Sequence, residues 1–497
     1  MLLTAVSLAM RTASMLFGAF VTRTVGAEGT GLYTVIMTVY SFAVTLATSG
    51  ISLTVTRHVA SAIGEGREDK VGSVVRGALL YSAAFGALST LLLFFGADFI
   101  GKYILDDART VLSLKLLAFS LVPISFGSVI SGYFVGVKRV GFNAGAQVLG
   151  QMIKICVTVL LVLRFSDGEI ERSVIALCLG ITVTELLGFL LQLLEFAYDR
   201  YKSAASKKDE ENRLREVAGT ALPLAFSAYV RAALLSLEHI LIPKRLKEGG
   251  ESSVEAYSHY GILHGMALPV ILYPMSPLSS FSSLLVPELA SDMSAGARAR
   301  IDRIASRAVN CTLVYSSVCA VILYFFSEEL GYAVYGSADA GKYIAMLTPI
   351  VPIMYLDHVT DSMLKGIGEQ VFSMWVNISD SVLSVMLVWF LIPRMGILGY
   401  ALVIVIMEAY NFTLSLMRLR RHVHISADIL GSAVYPCVCA FVAAAITRRI
   451  FVFGGSTSPT LWLILEIVFC VCVSAIFISL RDAACEMFKN KKEEHCA

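Results

Sequence analysis

The sequence has few charged residues for a chain of 497 residues. Lys, Arg, Asp and Glu make up 16% of it, whereas hydrophobic residues make up 57%. A soluble domain carries roughly a quarter charged residues, so a soluble enzyme or binding domain is excluded. The formal net charge is only +2 and the basic residues form no long run, so no nucleic-acid partner is expected.

The chain also lacks a nucleotide-binding motif. The run from Gly336 to Lys342 imitates a phosphate-binding loop, but Tyr343 replaces the Ser or Thr that the motif requires. ATP is therefore not an expected partner. Most of the ten cysteines fall within predicted membrane helices, so neither a disulfide framework nor a metal site is expected.

Long hydrophobic runs are what the chain has in abundance. A spanning helix needs about 20 mostly apolar residues, because only a helix satisfies its own backbone polar groups without water. The sequence predicts an all-α membrane protein with fourteen transmembrane helices. The predicted segments are 2–22, 31–55, 77–97, 116–137, 142–163, 173–194, 217–242, 256–287, 308–327, 343–364, 371–393, 395–417, 429–447 and 458–480.

The distribution of Lys and Arg predicts the orientation, since cytosolic connections are enriched in both. With the N-terminus inside, the inside connections hold about twice as many basic residues as the outside ones. We therefore expect a multi-pass protein of the cell membrane with both termini in the cytosol. The first segment has Arg11 near its middle and no small-residue cleavage site, so it is expected to be a retained helix.

An internal repeat divides the chain. Residues 129–164 align without gaps to 359–394, and a weaker match places Arg11 on Arg231. Each repeat unit holds six helices, so the two copies are parallel, an arrangement typical of transporters that move two lobes around a central cavity. The predicted domains are an N-lobe over 1–198, a charged cytosolic linker over 199–216, a C-lobe over 217–424, and two further helices with a cytosolic tail over 425–497.

Three stretches resemble one family of membrane transporters. They are VTRTVGAEGTGLYTVIMTVYSFAVTLATSGISLTVTRHVA (21–60), YGILHGMALPVILYPMSPLSSFSSLLVPELASD (260–292) and MLKGIGEQ (363–370). They are similar to polysaccharide exporters of the stage V sporulation protein B type, which belong with MATE-like multidrug exporters and lipid II flippases to the MOP superfamily. The resemblance implies a flippase rather than an enzyme. Such a protein moves a lipid-linked saccharide or a peptidoglycan-type precursor from the cytosolic to the outer leaflet by alternating access.

Basic residues within membrane helices are the first candidate site. An isolated charge in a spanning helix costs about 2.5–3.5 kcal/mol on insertion scales, so it normally faces a cavity or a partner. Because Arg binds phosphate through two parallel hydrogen bonds, Arg11 and its repeat mate Arg231 are predicted to bind the phosphate of the lipid-linked substrate. Arg57 and Lys154 are further candidates. The alternative for Arg11 is a structural pair with a carboxylate or an interhelical carbonyl group.

Oxygen-bearing side chains form the second candidate site. Asn377, Asp380 and Ser381 are spaced by three and four residues, which puts them on one face of the predicted eleventh helix, and Glu238 lies on the seventh. Such oxygens suit a small cation or a proton relay, so Na⁺ or H⁺ is predicted as the coupling ion. In some lipid II flippases, which the chain resembles, a sodium site is built from these two helices. The alternative is a structural hydrogen-bond cluster or a pair with Arg231.

Two further features lie in the predicted eighth and tenth helices. Pro269, Pro274 and Pro277 are each expected to remove a backbone hydrogen bond and bend the eighth helix, which is predicted to act as a moving gate. On the tenth helix, a stripe of acidic and basic side chains is interpreted as a salt-bridge ladder. The stripe consists of Asp357, Asp361 and Lys365.

Two other functional classes compete with a flippase. A cation-coupled exporter of drugs or metabolites would share the same fold. A membrane-embedded glycosyl-polymer ligase would need a large outside loop for its catalytic residues, and the longest outside loop, near 243–255, is short. The protein is expected to act as a monomer on a lipid-linked substrate with a phosphate headgroup.

Overall fold

The computed structural model describes residues 2–48, 50–67, 69–137, 140–165, 169–202, 214–451 and 459–494. All regular structure in these ranges is helical. The first part holds α1 (Leu2–Thr48), α2 (Ile51–Gly64), α3 (Asp69–Phe99), α4 (Thr110–Ala118), α5 (Leu121–Gly136), α6 (Val140–Phe165) and α7 (Ile170–Lys202). The middle part holds α8 (Leu214–Glu248), α9 (Ser253–Tyr260), α10 (Leu268–Leu272), α11 (Met275–Ser294), α12 (Arg298–Phe325), α13 (Ser327–Tyr335) and α14 (Ala338–Leu347). The last part holds α15 (Val351–Gly366), α16 (Gln370–Met395), α17 (Ile397–His422), α18 (Tyr435–Phe451) and α19 (Pro459–Glu494).

The helices have the length and composition of membrane spans. Within the described residues, nine are long and apolar enough to cross a membrane, or up to eleven if two bent pairs each form one span. The stretch Ala9–Gly64 alone has 56 residues, which at about 1.5 Å per residue exceeds twice the bilayer core. The all-α membrane fold is therefore confirmed, and the predicted number of fourteen spans is consistent with these helices without being confirmed by them.

Glycines make the two breaks in that first stretch. Gly26 has φ 72° and ψ −174°, a backbone conformation that glycine adopts far more readily than other residues. The sequence predicts a short turn between the helices 2–22 and 31–55. In the structure α1 continues through this interval and is only kinked at Gly26. Gly50, with φ 78°, lies at the start of α2.

The bounds of the helices repeat along the chain. The helices α5 and α15 begin 230 residues apart and end 230 residues apart, and the same is true of α6 and α16. This offset is the one at which residues 129–164 align to 359–394. The two copies therefore share helix bounds as well as residue types.

Two compact units divide the described chain differently from the predicted lobes. Unit 1 consists of 1–23, 262–384 and 397–497, and unit 2 consists of 24–261 and 385–396. Helix α8, which the repeat assigns to the C-lobe, packs against α2 and α3 in unit 2. The predicted lobes stay a prediction, and much of the predicted linker lies outside the described residues.

Apolar side chains hold each unit together. In unit 2, α2, α3 and α5 pack through a buried cluster that includes Val55, Val59 and Phe134. In unit 1, α15 packs against α11, α12 and α17, and Phe326 belongs to a buried cluster with residues of α18 and α19. These contacts position the helices that line the two cavities described below.

Candidate transport cavities

Three prolines surround a break in the helix chain of unit 1. Pro269 lies in the first turn of α10, Pro274 precedes α11, and Pro277 lies in the first turn of α11. The segments Ser253–Leu272 and Met275–Ser294 are bent by 59°. Pro274 and Pro277 lie at the start of α11, where proline removes no intrahelical hydrogen bond. Pro269 follows the helical residues Gly261–Ala267 without a break, so it does remove one. The expectation that each proline removes a bond is therefore corrected for Pro274 and Pro277 alone, and the gate stays a prediction.

Tyrosine side chains satisfy the carbonyl groups at this break. Tyr355 Oη donates to the carbonyl of Ile271 at 2.7 Å, and Tyr315 Oη donates to that of Pro274 at 2.6 Å. The carbonyl of Ile271 lies in the last turn of α10, where carbonyl groups lack intrahelical partners and need protein donors in a membrane. Residues of α12 and α15 thus stabilise the bent geometry.

Arg11 lies at the same break. Its Nη2 donates to the carbonyl of Leu272 at 3.3 Å, and the hydroxyl of the next residue, Thr12, lies 2.8 Å from that of Tyr273. The structure therefore shows the interhelical carbonyl partner that was the alternative for Arg11. Arg231 belongs to unit 2, so a phosphate clamp formed by both arginines stays a prediction.

An acidic cavity of about 240 Å³ lies in unit 1. Helix α15 contributes Asp357, His358 and Asp361, α16 contributes Ser373 and Asn377, and α17 contributes Glu408, Asn411 and Ser415. The lining polar residues recur at spacings of three or four on α16 and α17, and Asp357 and Asp361 lie four residues apart on α15, which places each set on one face of its helix. Three carboxyl groups thus line a small cavity among apolar helices.

The contacts in this cavity leave two oxygens available. Asp361 pairs with Lys365 at 2.6 Å and accepts a hydrogen bond from the Ser373 hydroxyl, which agrees with one step of the predicted ladder. Asp357 Oδ1 and Asn411 Oδ1 are buried, and neither has a hydrogen-bond partner among the described residues. Buried acceptors are normally satisfied, so these two oxygens suit a bound proton or cation.

Only part of the predicted ion set lines this cavity. Asn377 does so, whereas Ser381 donates to the backbone carbonyl of Asn377 at 3.0 Å and so supports the helix. Asp380 lies on α16 but is not among the lining residues, and Glu238 belongs to unit 2. Their role in an ion site stays a prediction. No group of three His, Cys, Asp or Glu in the described part of the chain is arranged to hold a metal ion.

Three residues of this cavity were not among the predicted site residues: Glu408, Asn411 and Ser415. Each lines the cavity from α17. Their spacing of three and four residues within an apolar helix was the available signal, since it places polar groups on one face. The same signal marks Asp357 and Asp361 on α15.

A second cavity, of about 420 Å³, lies in unit 2 between one face of α1 and one face of α8. The α1 face consists of Thr34, Met37, Thr38, Ser41, Phe42 and Thr45. The α8 face consists of Ala228, Arg231, Ala232, Leu235, Ser236 and His239. Of the four predicted phosphate ligands, only Arg231 lines this cavity.

His239 and the α1 hydroxyl groups are residues of this cavity that sequence reasoning missed. His239 Nδ1 lies 3.2 Å from the hydroxyl of Tyr260, and the Ser236 hydroxyl donates to the carbonyl of Thr38 at 3.3 Å. The hydroxyl-bearing residues of α1 recur at helical spacing between apolar ones, which was the signal for a polar face.

Close backbone contacts flank this cavity at both ends. A Cβ atom added to Gly31 would lie 1.9 Å from the carbonyl oxygen of Tyr257, and one added to Gly50 would lie 2.4 Å from that of Ala221. Only glycine permits such an approach. The two glycine contacts thus lie on either side of the α1 segment that lines the cavity.

The other two predicted phosphate ligands lie elsewhere in unit 2. Lys154 Nζ pairs with Glu185 Oε1 at 3.0 Å, joining α6 to α7. Arg57 is exposed on α2, beside His58, whose Nδ1 lies 3.4 Å from Glu216 of α8. Their predicted contact with substrate stays untested.

Helices of bilayer length, with polar cavities among them, define a polytopic membrane protein of the transporter class. The family model for polysaccharide biosynthesis proteins matches residues 1–293, more than half of the chain, and the chain belongs to that family. The MatE family model matches residues 263–390.

Two curated relatives come from Bacillus subtilis (strain 168). Stage V sporulation protein B is 25% identical over 451 residues, covering 89% of this chain and 87% of the relative. Sporulation protein YkvU is 22% identical over 447 residues, covering 88% and 92%. The stage V sporulation protein B resemblance predicted from the sequence is confirmed.

Solved structures share the fold. Lipid II flippase MurJ in its inward closed conformation matches with a TM-score of 0.73 and 14% identity, covering 97% of this chain and all of that one. A multidrug resistance MATE family transporter of the MOP superfamily, facing inward, matches with a TM-score of 0.65 and 16% identity, covering 84% and 98%. The MOP transporter fold is therefore confirmed.

Proposed function

We propose that the protein is a flippase that moves a lipid-linked saccharide with a phosphate headgroup from the cytosolic to the outer leaflet by alternating access. The family match over residues 1–293 and the relative named Stage V sporulation protein B support a role in polysaccharide or cell-wall biosynthesis. The fold shared with a lipid II flippase is consistent with this role. Transport of this kind needs no catalytic residues.

The observation that carries the proposal is the cavity between α1 and α8. It places the guanidinium of Arg231 beside hydroxyl groups in a cavity of about 420 Å³, within the range of roughly 300–1,000 Å³ that small-molecule sites occupy. Arginine is the side chain best suited to phosphate. A cationic, hydroxyl-rich cavity suits a sugar phosphate better than a cationic drug.

A flipping assay tests the proposal. Proteoliposomes that contain the protein and a fluorescent prenyl-diphosphate-linked sugar should transfer the lipid between leaflets, measured by chemical quenching from outside. Arg231→Gln should slow transfer by about tenfold or more, because a charge-assisted hydrogen bond is worth roughly 1.5–3 kcal/mol. A matched control is Arg298→Gln, which changes an exposed arginine at the start of α12. Transfer at the same rate in liposomes with and without the protein would refute the flippase function.

We also propose that Na⁺ or H⁺ binds in the acidic cavity of unit 1 and drives the transport cycle. The orphaned oxygens of Asp357 and Asn411 would be its first ligands, with Glu408 and Asn377 lining the same cavity. Acidic residues inside a membrane commonly mark ion or proton pathways. Binding there would favour one of two packings of α15, α16 and α17, which is the differential interaction that a ligand-driven switch requires.

The coupling proposal predicts separate effects on transport and binding. Asp357→Asn should remove the acceleration of flipping by a sodium or proton gradient, which supplies about 2.3 kcal/mol per charge at 100 mV. Binding of the lipid-linked sugar should stay within about twofold, because the substituted residue lies in the other cavity. Asp339→Asn is the matched control, since Asp339 forms an exposed pair with Lys342. Gradient-independent flipping in the unaltered protein would contradict the coupling and leave the flippase function in place.

We further propose that the protein is a monomer of the cell membrane with both termini in the cytosol. The excess of Lys and Arg in the predicted inside connections supports this orientation.

A cation-coupled exporter of drugs or metabolites is the second candidate function. The MatE match over residues 263–390 and the acidic cavity favour it. Gradient-driven export of a cationic dye from proteoliposomes, with no transfer of the lipid-linked sugar, would support this function over the first.

A further inference from the structure

The α1 wall of the cavity in unit 2 presents acceptors. Thr34 Oγ1 donates to the carbonyl of Thr30 at 2.7 Å, and Thr38 Oγ1 donates to that of Thr34 at 2.9 Å. Thr45 Oγ1 likewise donates to the carbonyl of Ser41 at 2.9 Å. A hydroxyl group has one hydrogen and two acceptor lone pairs. Because the hydrogen of each threonine is already used within α1, these three hydroxyl groups can only accept hydrogen bonds from a ligand.

The opposite wall, on α8, presents donors. The guanidinium of Arg231 has N–H donors and no acceptor, and no hydrogen bond or ion pair holds it among the described residues. His239 Nδ1 lies 3.2 Å from the Tyr260 hydroxyl. Arg231 on one wall therefore only donates, and the three threonine hydroxyl groups on the other wall only accept.

We infer that the cavity binds a phosphorylated saccharide across its width, with phosphate against Arg231 and the sugar's hydroxyl or amide hydrogens against Thr34, Thr38 and Thr45. This inference rests on the proposed flippase function and specifies which residues recognise each part of the substrate. Ionised phosphate oxygens accept and do not donate, so they match the guanidinium of Arg231 and not the three threonine hydroxyl groups. Sugar hydroxyl and amide groups supply the hydrogens that the α1 wall needs.

Other ligand classes match one wall only. A prenyl diphosphate without a sugar satisfies Arg231 and leaves the threonine acceptors without donors. An ammonium compound satisfies the threonines but meets the positive charge of Arg231. Polar groups that a ligand desolvates and leaves unpaired reduce its affinity, so the three threonines favour the sugar-linked ligand.

Binding of two probes to the full-length protein in lipid nanodiscs tests this inference. One probe is a short-chain prenyl diphosphate, and the other is the same diphosphate linked to N-acetylglucosamine. The variant Thr34→Val/Thr38→Val removes two acceptors at nearly constant volume. Thr48→Val is the matched control, because Thr48 makes the same bond, to the carbonyl of Val44 at 2.8 Å, and is not among the residues lining the cavity.

The two walls predict different losses. The double valine variant should weaken binding of the sugar-linked probe by about tenfold or more, as expected for two neutral hydrogen bonds, and leave the sugar-free probe within about twofold. Arg231→Gln should weaken both probes. Thr48→Val should change neither.

Two outcomes overturn different claims. Suppose the unaltered protein binds both probes, but the double variant changes the affinity for both equally or for neither. The α1 wall then does not recognise the sugar, and this inference fails while the proposed flippase function stands. If the unaltered protein binds neither probe, the proposed function fails and this inference fails with it. A double variant that does not fold is replaced by Thr45→Val, judged by the same comparison.

Discussion

Arg11 is a candidate for two roles: it donates a hydrogen bond to a backbone carbonyl group, and its charge can bind the substrate. Arg11 donates to the carbonyl of Leu272 at the break before α11, and its side chain remains exposed. Lys154, by contrast, has a partner in Glu185, so a phosphate would have to compete with that carboxylate. The structure therefore makes Arg11 a better candidate for a dual role than Lys154.

Substitution of Arg11 separates its structural role from its role in transport. Arg11→Met should abolish flipping and lower the free energy of unfolding by only about 0.5–1.5 kcal/mol, the usual net value of one hydrogen bond. Arg11→Lys should restore stability and part of the transport, because it keeps the charge and loses the planar fork. Proteoliposome flipping and thermal unfolding in one detergent measure the two effects. Full transport by Arg11→Met would exclude a substrate role for Arg11.

Among the elements, the contact of α1 with α9 depends on a residue without a side chain. The Cα of Gly31 faces the carbonyl of Tyr257 so closely that a methyl group would overlap it. The hydroxyl of Tyr257 in turn donates to the carbonyl of Leu105 at 3.2 Å. We expect this backbone packing to close the end of the cavity next to Gly31, because backbone atoms cannot adjust as a flexible side chain can.

Replacement of Gly31 should therefore open this end of the cavity. In Gly31→Ala the added methyl group must push α9 away, at a cost of the order of 1–3 kcal/mol for overpacking. A cysteine placed at Thr34 should then react faster with a water-soluble thiol reagent than in the parent. Gly18→Ala is the matched control, because a Cβ there meets nothing within 4 Å. Equal labelling rates in all three backgrounds would show that the contact does not close the cavity.

For the whole molecule, the predicted topology is open to a direct test. Ser253 and Ser294 are both exposed, and the predicted orientation places Ser253 outside and Ser294 in the cytosol. In a background without the native cysteines, Ser253→Cys should react with an impermeant thiol reagent in intact cells, whereas Ser294→Cys should react only after lysis. Labelling of Ser294→Cys from outside would reverse the orientation. Ser206, in the predicted linker, lies outside the described residues.

Properties that depend on one helix at a time could be predicted from the sequence. The apolar runs gave the helical membrane fold, and the alignment of 129–164 with 359–394 gave the offset at which the bounds of α5, α6, α15 and α16 recur. Three quoted stretches gave the family, which the match over residues 1–293 confirms. Helix length, hydropathy and repeat spacing are local quantities, so no tertiary structure is needed to read them.

The composition of the two cavities required the tertiary structure. Arg231 was identified as an intramembrane charge, but its neighbours His239 and Thr38 depend on which face of α8 meets which face of α1. Likewise Asp357 and Glu408 lie on different helices, and only packing brings them to one cavity. The sequence alone determined the membrane, the helices and the family, because these follow from runs of residues along the chain. Tertiary structure decided which side chains meet, because helix rotation and packing are set by contacts between residues distant in sequence.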